Sequence, residues 1–129
     1  MSISALDKEL IAIAVSVAAG CRPCTAYHLE AARKAGAADP AIQTAVASAV
    51  CVRSSATEGM RRQALELGPQ PDGCGCSAKT AWEELAALGA SLAVNCTENI
   101  DKHLAAARAL GVAQSDMDGC RSQLMLKLA

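Results

Sequence analysis

The longest apolar segment of the chain runs from Leu10 to Ala19 and is interrupted only by Ser16. No segment shows the strict alternation of apolar and polar residues that is typical of a half-buried strand. The chain contains 29 alanines, and alanine favours helix more strongly than any other residue. The hydrophobic pattern therefore predicts an all-α fold.

Capping residues and helix breakers give approximate boundaries for these helices. Ser, Thr and Asp are favoured just before a helix, Pro in its first turn and Gly just after its end. The first predicted helix is capped by Ser4 and runs to about Ala19 before Gly20, and the second starts near Arg22–Cys24 and stops at Gly36. Asp39 and Pro40 open a third helix towards Arg53, and Ser55 or Thr57 starts a separate helix that ends at Gly68. The remaining helices are one from Ser77 to about Val94, one over 97–110, and a last one capped by Ser115.

The same pattern occurs twice along the chain. Residues 9–42 align without gaps with residues 84–117 at an offset of 75, with 13 identities in 34 positions. We interpret residues 1–129 as a single domain of two tandem pseudo-symmetric repeats. Repeat one covers about 4–67, a turn-rich linker covers 68–76, and a degenerate repeat two covers about 77–129. The matched polar or reactive residues are Glu9 with Glu84, Ser16 with Ser91, Cys21 with Cys96, and His28 with His103.

Composition excludes several classes of function. The net charge of −1 gives no electrostatic basis for binding a nucleic acid or an anionic membrane. Trp82 and Tyr27 are the only aromatic residues, too few to stack bases or flat cofactors. The apolar segment is about half of the roughly 20 residues that span a bilayer, and no secretory signal is recognisable. We therefore expect a cytoplasmic protein, in which seven cysteines indicate redox or metal chemistry.

The spacing Cys21-Arg22-Pro23-Cys24 at a predicted helix start indicates a reactive dithiol. Two cysteines at this spacing can close a small disulfide in the first helical turn. The free amides and the helix dipole there favour a thiolate and lower a thiol pKa. The alternative is that these cysteines are small packing residues.

His28 and Glu9 are the predicted partners of this dithiol. His28 lies four residues after Cys24, so both occupy one helix face and the imidazole can take the thiol proton. Glu9 lies on the preceding helix, and antiparallel packing would bring it near His28, where it would orient the ring. The alternatives are a structural histidine and a glutamate on a solvated face.

The pattern Glu9-x11-Cys21-x2-Cys24-x3-His28 resembles the alkyl hydroperoxidase D-like branch of the carboxymuconolactone decarboxylase superfamily. The resemblance implies a helical bundle whose repeats pair around a two-fold, and assembly into homo-oligomers. It also implies that Cys24 attacks a peroxide, that Cys21 resolves the product and that Glu9 completes a proton relay. Peroxidatic members often carry a second histidine between the cysteines, where this chain has Pro23. The lactone decarboxylases of the superfamily do not rely on a dithiol, which makes that activity the weaker interpretation.

The predicted function is therefore a thiol–disulfide oxidoreductase or peroxidase. Its substrate would be a peroxide or a disulfide, and an external dithiol of the lipoyl or thioredoxin type would reduce the pair again. No nucleotide or flavin motif is present, so no cofactor is expected. A non-catalytic helical assembly module is an alternative class of function that the sequence also allows.

The remaining cysteines leave further alternatives open. Asn99 replaces Cys24 in the second repeat, so Cys96, His103 and Glu84 form either a decayed copy or part of a composite site. Cys74 and Cys76 in the linker could join Cys21 and Cys24 in a four-thiolate metal site, which is the alternative function, or they are incidental loop thiols. Cys51 and Cys120 are expected to be packing residues.

Overall fold

The computed structural model describes residues 3–70, 78 and 80–119, and all of the regular structure in these residues is helical. This confirms the predicted all-α class. The helices are α1 Ala5–Ala19, α2 Arg22–Lys34, α3 Asp39–Ala64, α4 Ala81–Ala93 and α5 Thr97–Ala109; residues 114–119 form the described part of a further helix, α6.

The ends of α1 follow from its sequence. Ser4 Oγ accepts a hydrogen bond from the Asp7 amide at 3.0 Å, and the Asp7 carboxylate accepts one from the Ser4 amide at 3.4 Å. This reciprocal capping box satisfies two amides that would otherwise lack a partner. Gly20 ends the helix with a φ of 72°, a left-handed conformation that glycine adopts at little cost. The predicted cap and breaker are both confirmed.

The prediction of two helices between Asp39 and Gly68 is wrong, because α3 is continuous from Asp39 to Ala64. The residues expected to break it are polar rather than helix-breaking. The Thr57 hydroxyl, for example, donates to the Arg53 carbonyl at 3.0 Å, four residues back. A hydroxyl with such a partner is compatible with a helix interior.

Three predicted caps are also corrected. Ala38 is the N-cap of α3, without a side-chain hydrogen bond, and Asp39 is already helical. Thr80 caps α4 through its hydroxyl, while the predicted Ser77 lies outside the described residues. Ser115 lies inside α6, because the first backbone hydrogen bonds of that helix are accepted by the Ala113 carbonyl.

The core forms around α1 and α4, which pack against each other. Both helices are buried along most of their length, so neither shows the one-sided pattern of a surface helix. Their small side chains allow close approach: Ala12, Ala14, Ala86, Ala87 and Ala90 are fully buried. α2 and α3 pack against α1, and α5 packs against α4. Among the residues described, no helix is long and apolar enough to cross a bilayer.

Candidate active site

The turn between α1 and α2 fixes the position of Cys21. The Cys21 amide donates to the Ser16 carbonyl at 3.0 Å, and the Gly20 amide donates to the Val17 carbonyl at 3.1 Å. These are the two hydrogen bonds of a Schellman motif, which ends one helix and redirects the chain. Cys21 is therefore held in extended conformation as the N-cap of α2, with φ −92° and ψ 101°.

Cys21 and Cys24 are joined by a disulfide in the first turn of α2, with their Cα atoms 5.3 Å apart. The Cys24 amide also donates to Cys21 Sγ at 3.3 Å. The sulfur thus takes the place that a serine or aspartate oxygen occupies at other helix starts. Pro23 is compatible with this first turn because the amide it lacks would have no helical partner there.

His28 and Glu9 form the contact that the sequence predicts between α2 and α1. His28 Nδ1 donates to Glu9 Oε2 at 2.9 Å, and the side chains are 18% and 31% exposed. The pair is therefore shielded but open to solvent on one side. With Nδ1 bound to the carboxylate, the tautomer is set and Nε2 is the ring nitrogen that can exchange a proton.

Tyr27 lies on the solvent side of this pair. Its ring meets the His28 ring edge to face, with centroids 5.0 Å apart and an interplanar angle of 86°. Tyr27 is 67% exposed, which is unusual for an aromatic residue in a chain that has only two of them. Tyr27 therefore forms part of the exposed surface next to His28.

The disulfide ends one helical turn before His28, whose imidazole is bonded to Glu9. Cys24 precedes His28 by one helical turn, so the two side chains share a face of α2. The amide hydrogen bond to Cys21 Sγ would stabilise that sulfur as a thiolate after reduction, because a charged acceptor strengthens such a bond. Cys21 is thus suited to leave when another thiol attacks Cys24.

Arg53 on α3 contacts the turn before the disulfide, which the sequence did not predict. Its guanidinium donates to the carbonyls of Val17 and Ala18 at 3.2 Å each, at the end of α1. A Cβ added to Gly20 would lie only 3.0 Å from Arg53 Nη1. The absence of a basic residue in the last turn of α1 is the one signal that could have suggested a cation from elsewhere.

The second half of the chain contains the same pair in a buried setting. His103 Nδ1 donates to Glu84 Oε2 at 2.9 Å, with side chains 1% and 9% exposed. His103 Nε2 is buried and has no hydrogen-bond partner among the described residues. Asn99, which replaces Cys24, is buried, and its amide donates to the Ser55 hydroxyl at 3.5 Å.

Cys96 is the N-cap of α5, with φ −96° and ψ 102°, nearly the values of Cys21. Its amide donates to the Ser91 carbonyl at 3.1 Å. Unlike Cys21, it makes no side-chain capping hydrogen bond. Cys96 lines a cavity of about 210 Å³ beside α3, and its thiol is not part of a disulfide.

The other cysteines do not join the site in the described part of the chain. Cys51 is half-buried against the larger apolar cluster, as expected of a packing residue. Cys74, Cys76 and Cys120 lie outside the described residues. Within residues 3–70, 78 and 80–119, no group of three or more His, Cys, Asp or Glu side chains is arranged to hold a metal ion.

Comparison with known proteins adds one finding. Residues 2–66, which include α1, α2, α3 and the disulfide, match the Carboxymuconolactone decarboxylase family. No curated protein and no solved structure matches the chain.

Proposed function

Because the chain belongs to the carboxymuconolactone decarboxylase family and carries a disulfide at the start of α2, we propose that it is a thiol–disulfide oxidoreductase that reduces peroxides or disulfides. The observation that carries the proposal is the position of Cys24 one turn before His28, whose imidazole is held by Glu9. A packing disulfide would need no proton-transfer pair beside it.

In the peroxide reaction, the Cys24 thiolate attacks one oxygen of the O–O bond. The other oxygen leaves as an alkoxide or hydroxide and takes a proton from His28 Nε2, and Cys24 becomes a sulfenic acid. Cys21 loses its proton and attacks the Cys24 sulfur as a thiolate, the S–O bond breaks, and the departing hydroxide takes up a proton and leaves as water, which completes the disulfide. Each cycle thus converts a peroxide and two thiols into an alcohol or water, a second water and one disulfide.

An external dithiol would close the cycle. Its thiolate attacks Cys24, the S–S electron pair leaves on Cys21, and the second external thiol releases Cys24 while the external dithiol becomes a disulfide. The Cys24 amide donates a hydrogen bond to Cys21 Sγ at 3.3 Å and would stabilise the departing thiolate. When a disulfide rather than a peroxide is the oxidant, the Cys24 thiolate attacks one of its sulfurs and the other leaves as a thiolate. Cys21 then attacks Cys24, which releases the second thiolate and forms the protein disulfide.

We also infer that the chain consists of two tandem repeats and that the second no longer performs this chemistry. Several contacts recur at the same offset of 75 residues: the Glu–His hydrogen bonds, the buried serines bonded to the carbonyl four residues back, and the helix-ending amide bonds of Cys21 and Cys96. Asn99 removes the second sulfur. The second half then mainly stabilises the fold, because α4 packs against α1.

Trapping the first oxidation product tests which sulfur reacts with the peroxide. In Cys21→Ser, the sulfenic acid on Cys24 should persist after addition of an alkyl hydroperoxide and be captured by a sulfenate-specific reagent, as seen by mass spectrometry. The Cys24→Ser variant should consume peroxide no faster than an ordinary thiol does. Cys96→Ser is the matched control and should behave as the wild type. A sulfenic acid that appears on Cys21, or on neither residue, would contradict the proposal.

A further inference from the structure

Two helix ends with opposite electrostatic effects meet at the disulfide. Cys21 is the N-cap of α2, and α1 ends at Ala19. The start of a helix carries a partial positive charge and its end a partial negative charge. α2 therefore favours a thiolate in this turn, while the end of α1 opposes one. The last turn of α1 contains no basic residue to reduce that opposition.

Arg53 supplies the missing cation from α3. Its Nη1 donates to the Val17 and Ala18 carbonyls at 3.2 Å, which are among the last carbonyls of α1 and lack a full set of helical partners. The guanidinium also lies against Gly20, since a Cβ there would be 3.0 Å from Nη1. Gly20 is covalently next to Cys21, so this charge lies close to the dithiol.

We infer that Arg53 is an electrostatic positioning residue for the dithiol: it offsets the negative end of α1 and thereby stabilises the Cys21 thiolate of the reduced pair. The inference rests on the proposed function, because it concerns the same two sulfurs. A more stable thiolate makes the reduced form more stable, and the pair becomes a stronger oxidant. Arg53 therefore sets how readily an external thiol can reduce the disulfide.

The relevant equilibrium is the exchange with glutathione. A glutathione thiolate attacks Cys24, the S–S bond breaks, and its electron pair leaves on Cys21. A second glutathione thiolate attacks the glutathione sulfur of the mixed disulfide, which releases Cys24 and forms oxidised glutathione. The protein disulfide gains two electrons, and two glutathione molecules lose them.

The test is this equilibrium constant in the wild type, Arg53→Gln and Arg53→Lys, at about pH 8, where an ordinary thiol is partly ionised. Arg53 contacts the α1 carbonyls in both redox states, so only its attraction to the thiolate changes the equilibrium. For one charge near a thiolate at the protein surface, Arg53→Gln should favour the disulfide roughly two- to fivefold. Arg53→Lys keeps the charge and should stay near the wild-type value. Arg61→Gln removes the same charge from the same helix, at a residue bonded to Glu58, and should change nothing.

The outcomes separate this inference from the proposed function. A wild-type pair that does not exchange with glutathione would overturn both. A pair that exchanges with the same constant in the wild type and Arg53→Gln would overturn the role of Arg53 alone, as would an equal shift in the Lys and Gln variants. Thermal unfolding of each variant shows whether it is folded. Arg53→Met, which retains an unbranched aliphatic stem, replaces the Gln variant if that one does not fold.

Discussion

The two Glu–His pairs have the same hydrogen-bond length and different surroundings. The Glu9–His28 pair is partly open to solvent, whereas the Glu84–His103 pair is almost fully buried. Burial decides what each pair can do, because a proton-transfer group needs access to its reaction partner, while a buried polar pair contributes mainly through the cost of disrupting it. Equal geometry in the two halves therefore predicts unequal consequences of mutation.

Removing each carboxylate should separate chemistry from stability. Glu9→Ala should lower the rate of disulfide formation with peroxide by about 10²-fold, the scale of a lost proton-transfer group, and cost less than about 1 kcal/mol of unfolding free energy because the pair is partly solvated. Glu84→Ala leaves His103 buried without its partner and should cost roughly 3 kcal/mol. Denaturant unfolding and stopped-flow oxidation measure the two effects.

This prediction would be wrong if Glu84→Ala slowed the oxidation of the folded protein as much as Glu9→Ala does. Glu9 could be paired with His28 from the sequence because both residues flank the dithiol at fixed helical spacing. The much deeper burial of the second pair could not be predicted, since it depends on how α4 and α5 pack rather than on either residue.

At the level of elements, the turn after α1 is constrained by its backbone conformation and by a side chain from α3. Gly20 combines a φ of 72° with the close approach of Arg53, and its counterpart Asn95 adopts a φ of 53°. Asparagine is one of the few residues besides glycine that tolerate this conformation. The alignment of Gly20 with Asn95 is thus explained by backbone geometry rather than by side-chain similarity.

Gly20→Ala should therefore lower the free energy of unfolding by more than the backbone strain alone would. The strain of a left-handed alanine is about 1–2 kcal/mol, and displacement of the guanidinium from its carbonyls adds about 1 kcal/mol. Gly111→Ala is the matched control, since Gly111 has a φ of 77° and no atom near an added Cβ. Equal losses of unfolding free energy in the two variants would show that the Arg53 contact contributes nothing to stability.

Element boundaries were predictable where a residue has a strong local preference. Ser4, Gly20 and Gly36 behave as expected, and Gly36 has a φ of 94°. The continuity of α3 was not predictable in this way. Serine and threonine are weak signals that fit either a cap or a helix interior, and the packing of α3 against α1 and α4 decides between them. The contact of Arg53 with the end of α1 was not predictable for a related reason, because its partners lie 35 and 36 residues earlier in the chain.

For the whole molecule, the interpretation as two repeats makes a direct prediction about Asn99. Cys96 has nearly the same backbone angles as Cys21, so a cysteine at position 99 would stand in the relation that Cys24 has to Cys21. In Asn99→Cys, oxidation should form a disulfide between residues 96 and 99, detected as a linked peptide by mass spectrometry. Two thiols that both remain free under these conditions would argue against equivalent halves.

The sequence alone predicted the helical class, the family and the Cys21–Cys24 pair, because each has a signal in local spacing. It could not reveal how the halves differ in exposure, or that α3 reaches the end of α1. Those features arise from contacts between distant residues. The assignment of a metal site to Cys21, Cys24, Cys74 and Cys76 stays a prediction, since the linker cysteines lie outside the described residues.

The central claim is that Cys21 and Cys24 alternate between dithiol and disulfide during a reaction. The most direct measurement is the redox state of every cysteine, by differential alkylation and mass spectrometry, in protein that is first reduced, then given stoichiometric alkyl hydroperoxide, and then given a lipoyl-type dithiol. The account predicts that the peroxide oxidises this pair faster than Cys51 or Cys96 and that the dithiol restores both thiols. A pair that reacts no faster than the other cysteines, or a disulfide that the dithiol cannot reduce, would contradict it.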